Sequence, residues 1–331
     1  MKDKTLQKEQ LFLSKYALKS KDTIGRLKEE EPCPMRTDFE RDRDRIIHCK
    51  AFRRLKNKTQ VFFSPEGDHY RTRLTHTLNV SQVARAIARS LNLNEDLTEA
   101  IALGHDLGHT PFGHSGERIL NKLSPRGFLH NEQSGRVVDV LEKDGEGLNL
   151  TREVVDGIIN HKMSCSPKTL EGKAVSLADR IAYINHDIDD AIDGGFIVKE
   201  DLPKKAVKVL GETSRQRINT MLYSIYVESD GKNKVEMQEE VAIATKELRD
   251  FMFERVYNAK TFRDEETRAD RMLTALYEYY TKAPERLPDF YLDRLKIDDI
   301  DTVLCDYISG MSDMYAVKTF NEIFVPKNWK L

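Results

Sequence analysis

The sequence lacks several features that would assign it to a class at once. No stretch approaches the roughly 20 apolar residues that span a membrane, so we expect no membrane-spanning segment. The chain starts without an apolar core and a small-residue cleavage site, so we expect no signal peptide. The four cysteines form no CxxC pair, which favours reduced thiols in a cytoplasmic protein over a disulfide framework: Cys33, Cys49, Cys165 and Cys305.

The net charge is also low for a chain of this size. The 331 residues hold 53 Lys and Arg against 55 Asp and Glu, a formal charge of −2. This balance excludes a general nucleic-acid coat. The charge is uneven, however, because the segment from Lys50 to Gln60 holds no acidic residue. Such a strip can contact phosphate groups or bind single-stranded DNA, and it is equally typical of a solvated edge or a subunit contact.

The spacing of apolar residues predicts a mostly α-helical fold. Val80, Val83, Ile87 and Leu91 recur on one helical face, and Asn94 is an expected N-cap for the next helix. Further helices are predicted over residues 131–143, 151–161, 174–192, 201–228, 235–259, 264–281 and 298–309.

Strand signals are weak, and the division into domains rests on one loop. The best strand candidate, KTQVFFS at residues 58–64, is short. The loop ESDGKNK at 228–234 predicts a boundary between a core, residues 1–228, and a helical C-terminal region, residues 229–331. The same loop is compatible with a surface turn inside one domain.

Histidine is concentrated in one part of the chain. Six of the nine histidines lie within residues 69–130, and the stretch ALGHDLGHTPFGHSGE at 102–117 contains three of them. His76 and His105 each continue the apolar face of a predicted helix, so both side chains are expected to point inward. A lone inward histidine is usually a satisfied core residue. Two on adjacent helices, with Asp106 beside one of them, suit a divalent metal instead.

A later predicted helix carries a second polar pattern. At about 100° per residue, five polar side chains share one face, with isoleucines opposite: Asp179, Tyr183, His186, Asp187 and Asp190. This pattern is typical either of a solvated face or of the wall of a site. Asp179 lies within SLADRIAY, whose apolar neighbours favour burial, and a buried carboxylate needs a partner. A metal held by two histidines and one aspartate would accept such a fourth ligand.

Several segments together resemble one enzyme family. His76, then His105 and Asp106, then Asp179 have the H…HD…D order of the HD-domain metal-dependent phosphohydrolases. Five segments in order are similar to the deoxyguanosine triphosphate triphosphohydrolase family within that superfamily: residues 36–62, 71–89, 102–117, 177–183 and 306–316. The resemblance implies a mostly α-helical HD-domain core with an N-terminal basic substrate-binding segment, and a helical C-terminal extension packed on that core.

The resemblance also implies roles for individual residues. The implied ligands of a divalent metal, most simply Mn²⁺ or Mg²⁺ or else another transition metal, are His76, His105, Asp106 and Asp179. The implied catalytic pair is His114 with its acidic partner Glu117. The implied contacts to sugar and phosphates are Gln60, Arg73, His109, Tyr183 and Asp187. His130 in FLHNEQS matches a further active-site histidine less closely.

The implied reaction is hydrolysis of a deoxynucleoside triphosphate (dNTP) to deoxynucleoside and tripolyphosphate. Metal, arginine and imidazole suit it, because the substrate is polyanionic and its O5′ leaving group needs a proton. The alternatives are another HD-domain nucleotide phosphohydrolase, such as a nucleotidase or alarmone hydrolase, and a non-enzymatic nucleotide or DNA sensor. The motifs beyond the metal ligands favour the first function, and the intact ligand set disfavours a sensor.

The expected partners follow from the same resemblance. They are a dNTP substrate, a dNTP or single-stranded DNA as candidate effector, and further copies of the chain in a homo-oligomer, with no membrane partner. The preferred dNTP is left open by the sequence.

Overall fold

The computed structural model describes residues 1–60, 71–257 and 260–326. Sixteen α-helices lie in these ranges. The first eight are α1 Lys2–Phe12, α2 Asp38–His48, α3 Lys50–Arg54, α4 Arg73–Ser90, α5 Glu95–Gly104, α6 Gly113–Leu123, α7 His130–Arg136 and α8 Arg152–Ile159. The others are α9 Leu170–Asp193, α10 Lys204–Leu210, α11 Ser214–Ser229, α12 Glu239–Met252, α13 Lys260–Lys282, α14 Asp289–Arg294, α15 Ile300–Ser309 and α16 Asp313–Phe324.

The predicted mostly α-helical fold class is confirmed. Isolated bridges occur, but no strand forms in the described ranges, and Thr59 of the strand candidate only bridges to Thr72. The rest of that candidate, residues 61–64, lies outside the described residues. No helix in the described parts of the chain combines the length and apolar character needed to cross a membrane. All four cysteines have free thiols, as predicted.

A central group of helices positions the histidine-rich segment. Helix α4 packs along α9 and α5, α2 packs on α5, and α8 contacts both α5 and α9. The predicted apolar face of α4 is confirmed, because Val80, Val83 and Ile87 are buried. Asn94 caps α5 as predicted, since its side chain accepts hydrogen bonds from the backbone N–H groups of Asp96 and Leu97. The packing of α4, α5 and α9 therefore fixes the positions of these helices relative to one another.

The single helix predicted over residues 201–228 is wrong, because the chain turns between α10 and α11. Gly211 has a φ of +107°, a conformation that favours glycine, and it ends α10. Thr213 then starts α11 with a capping box, in which its side chain and that of Gln216 each accept from the other's backbone N–H. Helix α9 also starts earlier than predicted, at Leu170, because Thr169 caps it.

Two clusters of buried apolar side chains divide the molecule. The larger one contains the inner faces of α4, α5, α8 and α9 and extends along the chain to Val256. The smaller one joins Ile119 and Leu120 of α6 to α13, α15 and α16. The segment between α5 and α6, which holds His105 and His109, passes from one cluster to the other. The domain boundary at residues 228 and 229 stays a prediction.

Candidate active site

Four side chains with metal-ligand chemistry meet where three helices converge. His76 lies in the first turns of α4, His105 and Asp106 follow α5, and Asp179 lies in α9. The separations are 3.1 Å from His76 Nε2 to Asp179 Oδ1, 3.6 Å from His105 Nε2 to Asp106 Oδ2, and 3.9 Å from His105 Nε2 to Asp179 Oδ1. Each is shorter than about 4.2 Å, twice a ligand bond of about 2.1 Å. His76, His105 and Asp106 form a group that could hold one ion, and the Asp179 carboxylate lies against both histidines.

The hydrogen bonding of His105 also fits a metal. Its Nδ1 lies 2.7 Å from the carbonyl oxygen of Ala102, which can only accept, so Nδ1 carries the hydrogen. Nε2 therefore carries the lone pair, and it is buried without a hydrogen-bond partner among the described residues. A buried unpartnered acceptor facing two carboxylates is unfavourable unless a cation lies between them. The donor set thus fits a divalent metal ion.

Both carboxylates of this cluster are held in the ionised form. Burial alone would raise the pKa of Asp106, but the neighbouring His105 ring and the Arg73 guanidinium lower it well below its ordinary value. Burial likewise opposes ionisation of Asp179, whereas a hydrogen bond from His76 and the neighbouring His105 ring lower its pKa to about 2. Ionised carboxylates are the form that binds a metal.

Arg73 lies beneath this cluster and is almost completely buried. Its Nη1 donates to Asp106 Oδ2 at 2.6 Å, and its Nη2 donates to the carbonyl oxygens of Thr59 and Gln60 at 3.1 and 3.0 Å. The guanidinium therefore supports both a candidate ligand and the segment that carries Gln60. The Gln60 Oε1 atom is buried without a hydrogen-bond partner in the part of the chain described. Phosphate contacts by Arg73 and Gln60 stay predictions.

Glu117 joins two histidines beside the candidate metal cluster. Its Oε2 lies 3.3 Å from His114 Nδ1, and its Oε1 lies 2.9 Å from His130 Nδ1 and accepts from the His130 backbone N–H at 3.1 Å. Burial opposes ionisation, but hydrogen bonds from both histidines hold the pKa of Glu117 far below its ordinary value. The side chain of His114 is 70% exposed, so its ring can reach a bound molecule.

His109 is buried between the two groups. Neither ring nitrogen has a hydrogen-bond partner among the described residues, and the ring stacks on His130 at a centroid distance of 4.5 Å. Burial and the charge of Arg73 lower the pKa of His109 well below its ordinary value. The ring is therefore neutral, with one nitrogen available as a donor and one as an acceptor.

The sequence analysis missed His161, which lies just beyond α8. Its Nε2 is 3.3 Å from His130 Nε2, and its Nδ1 is 2.7 Å from the carbonyl oxygen of Ile158. Burial and the neighbouring His105 ring lower the pKa of His161 to about 3. The spacing of Val154, Ile158 and His161 is the inward pattern that identified His105, so the signal was present in the sequence.

The imidazole rings around the site form a continuous row of six, which we call the histidine row. Successive centroid distances are 5.7, 5.0, 5.4, 4.5 and 5.3 Å. In order, the members of the row are His76, His105, His161, His130, His109 and His114. The row extends from the candidate metal ligands to the exposed ring of His114.

The polar face of α9 forms a wall rather than a solvated face, because Asp187 and Asp190 are buried and Tyr183 is half-buried. Burial and the charge of Asp179 raise the pKa of Tyr183 to about 12. Burial raises the pKa of Asp187 to about 7, although the Tyr257 hydroxyl donates to its Oδ2. Tyr257 is 70 residues from Asp187 and lies in no sequence motif, so its role was not predicted.

The basic strip of the sequence has more than one environment. Lys58 is buried, and its Nζ donates to the carbonyl oxygens of His109 and Ser309. Burial and the nearby charge of Arg54 lower the pKa of Lys58 to about 7. Lys50 instead pairs with Asp144 at 2.9 Å on the surface. Lys58 is therefore an internal support of the site and not part of a solvated edge.

Comparison with known proteins first defines the class. Residues 73–184 match the HD domain, and residues 235–322 match the phosphohydrolase-associated domain. The first match begins at Arg73 and includes all four candidate metal ligands. A solved phosphohydrolase from Bacteroides thetaiotaomicron VPI-5482 has a similar fold, with a TM-score of 0.53 and 18% identity over 84% of this chain and 67% of that chain. The chain is thus an HD-domain protein.

Curated relatives then define the family. A deoxyguanosinetriphosphate triphosphohydrolase-like protein from Caldanaerobacter subterraneus subsp. tengcongensis is 57% identical, covering 98% of this chain and 96% of its own length. One of the same description from Clostridium tetani is 48% identical, covering 96% of this chain and 95% of its own length. The chain belongs to the deoxyguanosinetriphosphate triphosphohydrolase-like family of HD-domain proteins. Membership supports a nucleotide phosphohydrolase.

Proposed function

We propose that this protein hydrolyses dNTPs to deoxynucleoside and tripolyphosphate, with His114 as the acid and with Mn²⁺ or Mg²⁺ as the ion. The observation that carries the proposal is the position of the Glu117 group beside the four candidate ligands. An ionised carboxylate there supports two imidazoles, one of them exposed, within reach of the metal cluster. Family membership supports the same reaction class.

In this proposal His76, His105, Asp106 and Asp179 hold the divalent ion. When bound, the ion would polarise an α-phosphate oxygen and make the hydrolytic water more acidic. Asp106 and Asp179 are ionised for this purpose, and the Ala102 carbonyl fixes His105 in the tautomer whose Nε2 can act as a ligand.

His114 provides the proton for the leaving group. O5′ departs as a poor alkoxide unless it is protonated, and imidazole is the side chain whose ordinary pKa lies near neutrality. Glu117 accepts from His114 Nδ1, so it fixes the ring and leaves Nε2 free for the O5′ atom. General-acid assistance of this kind contributes about 10²–10⁴-fold to the rate.

The remaining predicted contacts have suitable chemistry. His109 is neutral and unpartnered among the described residues, so one ring N–H can donate to an α-phosphate oxygen. Asp187 in its ionised form can accept from the 3′-hydroxyl of the sugar. Tyr183, one turn before Asp187 on the same wall, would pack near C2′ and exclude a 2′-hydroxyl. This proposal therefore expects dGTP to react far faster than GTP.

The test is to identify the first products of each dNTP in ¹⁸O-labelled water, using ion-exchange separation and mass spectrometry. Attack at the α-phosphorus releases intact tripolyphosphate with label in one terminal phosphate, and none in the deoxynucleoside hydroxyl. Release of orthophosphate and a deoxynucleoside diphosphate would instead identify a different HD-domain phosphohydrolase.

A second test addresses the metal cluster directly. We expect Asp106→Asn to lose both bound metal and activity while the helical circular dichroism stays unchanged, because one charged ligand is removed. Asp96→Asn is the matched control, since Asp96 lies in α5, the helix that Asp106 follows, but pairs with Arg43 at 2.8 Å away from the cluster. Metal content is measured by elemental mass spectrometry. Full metal content and normal turnover in Asp106→Asn would reject the ligand assignment.

A further inference from the structure

The segment at residues 306–316 resembles its family strongly, yet none of its residues has a role in the chemistry above. It contains the end of α15, a tight connection at Gly310, and the start of α16, where Ser312 caps the helix. We call residues 306–313 the connector. Its two aspartates, Asp306 and Asp313, each bind segments that carry candidate catalytic side chains.

Asp313 binds two such segments at once. Its Oδ2 accepts from the backbone N–H of Thr59 at 2.9 Å and from the Thr59 hydroxyl at 2.6 Å. Its Oδ1 accepts from the backbone N–H of Phe112 at 3.0 Å. Thr59 precedes Gln60, and Phe112 lies between His109 and His114. A single carboxylate therefore fixes the distance between these two segments.

The backbone at Phe112 explains why a support is needed there. Phe112 has a φ of +59° and Gly113 a φ of +58°, a left-handed pair that begins α6. A left-handed conformation is unfavourable for a residue with a side chain and persists only where the surroundings enforce it. Asp313 provides one such constraint through the Phe112 N–H, and the Thr110 hydroxyl provides another by donating to the Gly113 carbonyl. His114 directly follows this pair.

A second contact from the connector reaches the same loop. The buried Lys58 Nζ donates both to the Ser309 carbonyl of the connector and to the His109 carbonyl of the loop. Asp306, at the other end of the connector, accepts from Gln133 Nε2 and Arg136 Nε, both at 2.8 Å. These two residues belong to α7, which begins at His130. The connector thus contacts both the loop that precedes His114 and helix α7, which begins at His130.

We propose that Asp313 is a positioning residue for the loop from His109 to His114, and that it acts on the reaction through the placement of His114. This inference rests on the proposed function for the role of His114, but not for the contacts themselves. Within the described parts of the chain, the hydrogen bonds of Asp313 reach Thr59 and Phe112 rather than the candidate metal ligands or the wall of α9. Its loss should therefore affect the placement of the acid more than the binding of metal.

The test compares Asp313→Asn with Asp301→Asn. Asparagine keeps the size of the side chain but replaces one acceptor oxygen with an NH₂ group, which then faces the N–H of Thr59 or Phe112. Asp301 is the matched control, because it is also half-buried in the C-terminal helices and accepts from the Tyr277 hydroxyl at 2.6 Å, away from the loop.

The first measurement is amide hydrogen exchange followed by mass spectrometry. We expect Asp313→Asn to speed exchange in peptides that cover residues 107–117, with metal content unchanged, and Asp301→Asn to leave those peptides as in wild type. Unchanged exchange in the loop of Asp313→Asn would overturn the proposal. This measurement needs no substrate, so it stands even if the proposed dNTP hydrolysis is wrong.

The second measurement is a double-mutant cycle on dGTP hydrolysis. We expect Asp313→Asn to lower kcat by about 10–100-fold with little change in KM, because misplacement of a catalytic group by about 1 Å costs this much. In a His114→Ala background the same substitution should cost almost nothing more, since the acid that it positions is already absent. Independent, multiplying losses would show that Asp313 does not act through His114. A wild-type protein inactive on every dNTP would reject the proposed function instead.

Discussion

Replacement of Arg73 by methionine tests how much the buried ion pair between Arg73 and Asp106 stabilises the protein. A second buried arginine, Arg217, provides a matched comparison. Among the residues that the structure describes, Arg73 and Arg217 are the two largest side chains that are almost fully buried. Arg73 binds Asp106, which is itself buried. Arg217 donates to Asn185 Oδ1 at 2.8 Å and to the Glu212 carbonyl at 2.9 Å, and its carboxylate neighbour, Asp189, is 35% exposed at 3.4 Å.

The expected magnitudes follow from what each substitution leaves behind. Arg73→Met leaves the buried Asp106 carboxylate without its closest cation, and breaking a buried pair in this way costs about 3–5 kcal/mol. Arg217→Met removes the donor from two neutral acceptors, Asn185 Oδ1 and the Glu212 carbonyl, and from the partly exposed Asp189 carboxylate. The loss of these hydrogen bonds costs about 1–3 kcal/mol. The substitution at Arg73 should therefore lower the free energy of unfolding by about 2 kcal/mol more than that at Arg217.

The assay is urea unfolding of metal-free protein, followed by circular dichroism, since a bound ion would itself compensate Asp106. Arg73→Met should also bind metal more weakly, because it frees Asp106 and the Thr59 to Gln60 segment, whereas Arg217→Met should retain wild-type metal affinity. Equal losses of stability in the two variants, or a loss below about 1 kcal/mol at Arg73, would refute this account of the buried pair.

Two further predictions concern the loop and the wall of the site. In Gly108→Ala the added Cβ would lie 2.2 Å from the Ser134 backbone nitrogen and 2.7 Å from the His130 carbonyl oxygen, so α7 must move. We therefore expect this variant to have a lower Tm and a much lower kcat than wild type. Wild-type values of both Tm and kcat would contradict this account of the packing. In Tyr257→Phe a donor to the ionised form of Asp187 is lost, so the pKa of Asp187 should rise above about 7. If substrate binding needs the Asp187 carboxylate, the acidic limb of kcat/KM against pH should move to higher pH, and an unmoved limb would argue against that role.

Local patterns in the sequence predicted the parts of the fold that local physics determines. The α4 face and the Asn94 cap depend on residues three or four positions apart, so their spacing is visible in the chain. The break between α10 and α11 was also local, and Gly211 with Thr213 carried the signal that the broad apolar pattern obscured. His76, His105 and Asp106 lie close enough together to hold an ion, and the full ligand set with Asp179 stays a prediction from the family resemblance.

The contacts that support the site were not predictable in the same way. Asp313 and Thr59 are 254 residues apart, and Tyr257 and Asp187 are 70 apart. No periodicity connects such pairs, because their contact depends on how separate helices pack. The role of Lys58 was also not predictable from the sequence, where Lys58 belongs to a basic strip. It becomes an internal hydrogen-bond donor only because α15 and the loop that contains His109 pack against it.

The histidine row has a consequence for the acid stability of the whole protein. Burial keeps His161 unprotonated down to a pH of about 3, whereas an unfolded chain would bind a proton there at about 6.5. The unfolded state therefore holds more protons across this interval, so the stability present above pH 6.5 is lost as the pH falls towards 3. Each such imidazole contributes about 1.4 kcal/mol per pH unit to this loss, and His109 acts in the same direction. The burial that keeps these rings neutral thus also makes the native state sensitive to mild acid.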